Sequence, residues 1–415
     1  MMNSLKNVKP LEEKGIPIEE QVRNWEELTD FTYSVKDVHP YTRCRIITMN
    51  GAEYEAFWFG HHMARHVDDV EIKQKLALTR RMEHQQQKAI AGTVPGDENN
   101  LEHTLGYEQV AVDLTAGLAE LEKDKNVKAA LDFALLEDFD HLYRYSNYLD
   151  MHNPSGRSVE DIIGKYTEVM PGRTTFIEHR HPFDSIKKHY DASSADFSTI
   201  MHAMTIVAGE QQTMNYYSNI ANRFESDLLR ALYTEIGIIE EQHVSHYESL
   251  LDPNSSWAEM LCCHEYNECW LYWSLAQEEE HPKVKKLFEH HLEMELGHLH
   301  AAIQTLKKMD HKDPEELLSE SFPEPISFHS NIDYVRDVIS RTIDLTADGQ
   351  EYSPIEELAQ DHRFFSYNKM VNKGMSPSTE VINARIKEKG EDFRLTVEGE
   401  HPIERFRDRT SVPEK

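Results

Sequence analysis

Cysteine is scarce in this chain: Cys44, Cys262, Cys263 and Cys269 are the four in 415 residues. None stands in a Cys-x-x-Cys pair, so a rubredoxin-type or zinc-ribbon site is not indicated. The cluster at 262–269 falls in a helical stretch and reads as buried thiols. Long apolar runs are missing too. No stretch approaches the roughly 18 apolar residues of a membrane span, and Met1 to Pro40 has no apolar run of the signal-peptide kind. A cytoplasmic protein with no membrane partner is expected. Basic residues are outnumbered, 44 Lys+Arg against 74 Asp+Glu, for a formal net charge of -30. That field repels nucleic-acid phosphates and attracts cations, metal ions included. Hydrophobic residues still make up 39%, enough to bury a core, and 415 residues suffice for two or three ordinary domains or one large helical assembly.

Turn-forming residues divide what remains. Residues 1–48 form an N-terminal segment without a strong periodic signal. Residues 49–150 read as a first helical block, 151–195 as a linker or crossover broken by Asn153-Pro154, Pro171-Gly172 and His181-Pro182, and 196–310 as a second helical block. Residues 311–415 carry repeated prolines and read as a mixed C-terminal extension. Each block contains two helical hairpins. Breaks fall at Asp68-Asp69, Pro95-Gly96-Asp97 and Asp124-Lys125-Asn126 in the first, and at Glu225-Ser226-Asp227, Asp252-Pro253-Asn254 and His281-Pro282 in the second. Asn99 with Glu102, and Ser256 with Glu259, have the spacing of capping boxes.

The blocks repeat. Shifted by about 157 positions, Glu53 falls on Glu210, Glu83 on Glu240, Glu108 on Glu265, Asp138 on Glu295 and His141 on His298. Identity is low, but acids, histidines and turns coincide at one shift. Within each hairpin the paired acids stand about 30 residues apart with a break midway. A straight helix would separate them by roughly 45 Å; a midpoint turn returns both to one height on neighbouring helices.

Three of the hairpins end in an acid-x-x-His pair that occupies one helix face: Asp138/His141, Glu240/His243 and Glu295/His298. In the remaining hairpin Gln86 stands three residues after Glu83, where the others have histidine. Carboxylate oxygen with imidazole nitrogen suits iron, manganese or zinc. A solvated face explains any single acid-x-x-His, and Glu178/His181, Glu278/His281 and Glu398/His401 have no place in the pattern. The whole constellation is different, because buried acids in a bundle require charged partners.

The pattern Glu, Glu-x-x-His, Glu, Glu-x-x-His at Glu210, Glu240, His243, Glu265, Glu295 and His298 resembles the ferritin-like di-iron superfamily, its rubrerythrin-like branch in particular. Glu268, three residues after Glu265, matches a further ligand of that branch. The resemblance covers about 210–300 well and 53–141 in degenerate form. It implies an all-α fold of ferritin-like bundles from four tandem hairpins, with two iron ions per site, or manganese in their place. The rubredoxin-like cysteine domain of rubrerythrins is absent, so the electron donor is unknown.

Topology departs from the family. Only 25 residues separate Glu240 from Glu265, too few to return to the far end of a bundle. Hairpins three and four must follow one another antiparallel, as must one and two. A crossover through 151–195 pairs hairpin two with three, giving a site of Glu108, Asp138, His141, Glu210, Glu240 and His243. Hairpins one and four then supply Glu53, Glu83, Gln86, Glu265, Glu268, Glu295 and His298. Pairing between copies in a homodimer is the other solution. Tyr54, Tyr107 and Tyr266, each beside a ligand position, read as packing at the core edge, with electron relay as the alternative.

The function these features imply is a non-haem di-metal oxidoreductase acting on peroxide or dioxygen, with a small oxidant or small-molecule substrate. A ferroxidase or iron-binding protein without organic substrate, and a non-catalytic helical interaction protein, are the other two classes.

Overall fold

The structure, a computed structural model, describes residue 5 and residues 8–29, 33–374 and 376–413. The other positions of the expected N-terminal segment and C-terminal extension lie outside the described residues. Helix dominates. The order is α1 (Pro40–Met63), α2 (Val70–Ala91), α3 (Asn100–Leu121), α4 (Lys125–His152), α5 (Val159–Ile163), α6 (Thr175–Glu178), α7 (Pro182–Ser185), α8 (Phe197–Ile220), α9 (Asp227–Glu248), α10 (Trp257–Glu278) and α11 (Pro282–Met309). Then come α12 (Ile332–Thr342), β1 (Leu345–Asp348), β2 (Glu351–Pro354), α13 (Arg363–Val371) and α14 (Pro377–Lys389). The two strands pair antiparallel, Leu345 opposite Pro354.

The helices start where side chains can satisfy orphan backbone N–H groups. Asp69 accepts from Glu71 and Ile72, and Asp124 from Asn126 and Val127. Ser226 accepts from Leu229. Asn99/Glu102 and Ser256/Glu259 form full capping boxes. His281 caps α11, whose first residue is Pro282, a position where the missing N–H costs nothing.

The chain forms two compact units, each discontinuous in sequence. The first holds residues 1–97, 191–212 and 251–328. In it α1 packs along α2 and α10, and α11 along α10 and α2, so four long helices close a ring. Arg45 and Thr42 of α1 reach Glu279 at the end of α10, at 3.1 and 2.9 Å, and tie the two helices together. The N-terminal segment lies across α11: the Ile16 amide donates to the Glu293 carbonyl at 2.7 Å. Gly297 permits this, since a Cβ there would stand 2.0 Å from the Ile16 carbonyl oxygen; Gly15 meets α11 at φ +57.

The second unit holds 98–190, 213–250 and 329–415. α3 packs along α4, and α9 along α4. From residue 329 on, the expected C-terminal extension belongs to this unit and helps form its core, whereas 311–328 belong to the first unit. α12 packs on α3 and α4, and α14 on α4 and α9, with Val338, Ile339, Val381 and Ile382 in one apolar cluster with Leu135, Leu142 and Tyr233. Burial of each such aliphatic side chain stabilises by roughly 1.5–3 kcal/mol. Residues 151–190 are packed as well: α5 contacts α3 and α4, α6 contacts α4, and α7 contacts α9.

The compact units therefore cut across the repeated blocks. The hairpins α1/α2 and α10/α11 share one unit; α3/α4 and α9 share the other. The chain passes between units within α8, at residues 212–213.

Candidate metal centres

In the first unit each helix of the ring carries buried acids inward. Glu53 is on α1, Glu83 and Gln86 on α2, Glu265 and Glu268 on α10, Glu295 and His298 on α11; none is more than 3% exposed. The midpoint turns bring residues 30 apart to one level. Glu83, Glu265, Glu295 and His298 each offer a ligand atom, all within 4.8 Å of one another. Glu53, Glu83 and Glu268 form a second such group, so Glu83 belongs to both.

His298 is held in one orientation. Its Nε2 stands 2.6 Å from Gln21 Oε1, while the Gln21 amide nitrogen donates to the Ile16 and Met294 carbonyls at 2.8 and 2.9 Å. Gln21 therefore accepts from Nε2–H, leaving Nδ1 directed at Glu83 (2.6 Å) and Glu295 (3.1 Å). Gln86 Nε2 donates to Glu53 at 3.2 Å and to Glu295. The Tyr272 hydroxyl also donates to Glu53 and contacts His291 Nδ1 at 2.8 Å. Arg23 Nη2 stands 3.3 Å from His291 Nε2.

In the second unit Glu108 (α3), Asp138 and His141 (α4) and Glu240 (α9) converge within 4.8 Å. His243 joins them: its Nδ1 is 3.3 Å from Asp138 and 3.7 Å from Glu240. His141 Nδ1 is 3.1 Å from Glu240. Both rings are fixed from outside, by Glu178 Oε2 at 2.9 Å from His141 Nε2 and Glu137 Oε2 at 2.8 Å from His243 Nε2. Arg180 Nη1 in turn holds both oxygens of Glu137 at 2.9 Å. The Tyr217 hydroxyl donates to Glu108. A carboxylate or amide on the distal nitrogen fixes tautomer and aim, as it does around metal-ligating histidines. Glu210 is 2% exposed, on the stretch of α8 assigned to the first unit.

The electrostatics are those of sites short of positive charge. Burial, reinforced by neighbouring acids, pushes the carboxyls of Glu53, Glu265 and Glu268 well above their usual range, and Glu108 likewise. Burial also raises Asp138 and Glu295. Burial works against charge on His141 and His298, yet their carboxylate neighbours raise both well above the ordinary imidazole value. Glu240 is buried too, but hydrogen bonds from His141 and His243 hold it at about 2. Glu137 lies well below the carboxylate range: burial opposes this, and Arg180, His243 and Arg173 together outweigh it. Among the described residues, no hydrogen bond reaches either oxygen of Glu268, Oε2 of Glu108 or Oδ2 of Asp138. Buried carboxylates in that condition need a cation or a proton. The donor set, carboxylate oxygen with inward Nδ1, fits a divalent metal pair.

Sequence reasoning missed the residues that aim the histidines. Gln21 lies in the segment read as featureless, and Glu178 belongs to an acid-x-x-His match set aside as patternless. Glu137 precedes Asp138 and carried no spacing signal. Tyr107 and Tyr266 fit the packing reading: Tyr107 stacks on Tyr216 at 4.5 Å, and Tyr266 meets Phe197 edge-on at 4.9 Å. Tyr54 meets Phe57 edge-on at 5.3 Å. No helix of the described residues is long and apolar enough to cross a membrane. No protein-family model matches the chain, and neither a curated protein nor a solved structure matches it.

Proposed function

We propose that this chain is a ferritin-like di-metal carboxylate oxidoreductase, with iron as the metal and peroxide or dioxygen as the oxidant. One observation carries the reading. In each unit, buried carboxylates converge on imidazole Nδ1 atoms whose opposite nitrogens are already occupied by Gln21, Glu178 or Glu137.

In the first unit Glu83, Glu265, Glu295 and His298 would hold one ion and Glu53, Glu83 and Glu268 its neighbour. In the second unit Glu108, Asp138, His141, Glu240 and His243 would serve. A bound iron pair supplies two one-electron redox steps side by side, which suits a two-electron oxidant. The chain's own residues do the rest. Glu137 and Glu178 orient the imidazoles. The Tyr217 and Tyr272 hydroxyls each donate a hydrogen bond to a ligand carboxylate, Glu108 and Glu53. Full burial of the donors excludes bulk water and strengthens every charge interaction inside.

The test has two stages. Purified protein is analysed for metal, then reduced and exposed to peroxide, or loaded with ferrous iron in air. Bound iron with catalytic peroxide consumption supports the proposal. Iron that accumulates as mineral without turnover points to a ferroxidase. Protein that binds no metal under any loading overturns the proposal and leaves a helical interaction protein.

A further inference from the structure

The donor groups of the first unit are chemically unequal. One group contains His298. The other, Glu53, Glu83 and Glu268, is oxygen only, and its three ligand atoms lie within 4.8 Å of one another. Glu268 is 2% exposed, and neither of its oxygens accepts a hydrogen bond among the described residues. Gln86 stands between the two groups, with its amide nitrogen on Glu53 at 3.2 Å and also on Glu295 of the His298 group. Its own Oε1 is buried without a hydrogen bond among the described residues. Rotation of the terminal amide would present that oxygen in place of the nitrogen. The repeat puts His243 where Gln86 stands, so the second unit has imidazole where the first has an amide.

Carboxylate and carbonyl oxygens suit magnesium, calcium and manganese, whereas imidazole favours iron, nickel, copper and zinc. Nitrogen ligation is a large part of what lets zinc or copper outcompete manganese. His291 Nδ1 stands 3.7 Å from Glu53 but is engaged by the Tyr272 hydroxyl at 2.8 Å, so the converging donors are three carboxylates and one amide, which withhold that advantage.

On the metal-binding reading above, and in place of a like iron pair in this unit, we infer that the first unit holds an unlike pair: a hard divalent cation, Mn2+ or Mg2+, on Glu53, Glu83 and Glu268, beside a His298-bound ion of the iron or zinc class. Gln86 is the residue that sets this preference. The second unit, with His141 and His243, lacks such an oxygen-only position among these residues.

Zinc binds most donor sets more tightly than manganese at equal concentration, so metal-stripped full-length protein, incubated with Mn2+ in large excess over Zn2+ and desalted, tests the inference. Metals are counted by mass spectrometry, and bound Mn2+ is identified by electron paramagnetic resonance. A parallel arm replaces Mn2+ with Mg2+ and distinguishes the two hard ions. Wild type is expected to retain about one hard ion per chain beside zinc. Glu268→Gln should lose it with zinc unchanged. Gln86→His should keep total metal constant but lower the hard-ion-to-zinc ratio by about tenfold or more. Zinc at every position of the wild type, or an unaltered ratio in Gln86→His, would overturn the inference while metal binding itself stood. Absence of all metal would remove the underlying reading as well.

Discussion

Gln21 and His298 are 277 positions apart in sequence and 2.6 Å apart in space, amide oxygen to imidazole Nε2. That contact decides which ring nitrogen faces the carboxylates. It also places the N-terminal segment in the candidate centre of the first unit.

Gln21→Leu removes the acceptor and keeps the bulk. It should lower metal affinity in the first unit by roughly 10–100-fold and leave the second unit's affinity unchanged. Gln21→Glu keeps an acceptor and should recover most of the loss. Chelator competition with Zn2+ reads both. Equal affinity in wild type and Gln21→Leu would refute an orienting role.

Gly297→Ala tests the same crossing from the other side. The added methyl carbon would lie 2.0 Å from the Ile16 carbonyl oxygen, and neither backbone yields cheaply. The segment over α11 should lift, at a cost of about 1–3 kcal/mol. Hydrogen exchange of residues 15–23 should accelerate while α9 stays protected.

Arg180 and Glu137 are a buried pair, 1% and 0% exposed. Arg180→Met leaves Glu137 with less compensation in a low-dielectric site. About 3–5 kcal/mol of destabilisation is expected, read as a lower denaturation midpoint for the second unit. The double variant Arg180→Met with Glu137→Leu should recover part of it, because the carboxylate is then not stranded, and only part, because buried Arg173 loses its Glu137 partner at 3.5 Å.

The raised carboxyls give the metal-free protein a defined pH response. Glu53, Glu108, Glu265 and Glu268 titrate higher folded than unfolded. The folded state therefore binds more protons between the two values, and its stability falls as pH rises. That contribution is fully present below the unfolded value of about 4.5 and is lost as pH passes through the folded values. Metal-stripped protein should melt progressively lower from about pH 5 upward. Divalent metal replaces the protons, so the melting gap between loaded and stripped protein should widen over the same interval. A gap independent of pH would contradict the assignment of these acids as ligands.

Much of the architecture was legible because it is written locally. Asp69, Asp124, Ser226 and His281 cap where turn chemistry places them, and the boxes at Asn99 and Ser256 form as spaced. Acids 30 apart meet because each midpoint turns. What stayed hidden lacks periodicity. Gln21 and Glu178 reach the histidines from outside the long helices, where helical spacing predicts nothing. Val338 and Ile382 belong to short helices whose apolar faces are completed by α4 and α9, so their core role is visible only in three dimensions.

On the proposed function, these buried acids and imidazoles are metal ligands. Anaerobic ferrous titration of stripped wild type, beside the variant combining Glu240→Ala with Glu295→Ala, tests it most directly. Saturable binding in both units of the wild type, a rise in melting temperature on loading, and loss of both in the variant are expected. Identical iron stoichiometry in the two proteins would contradict it.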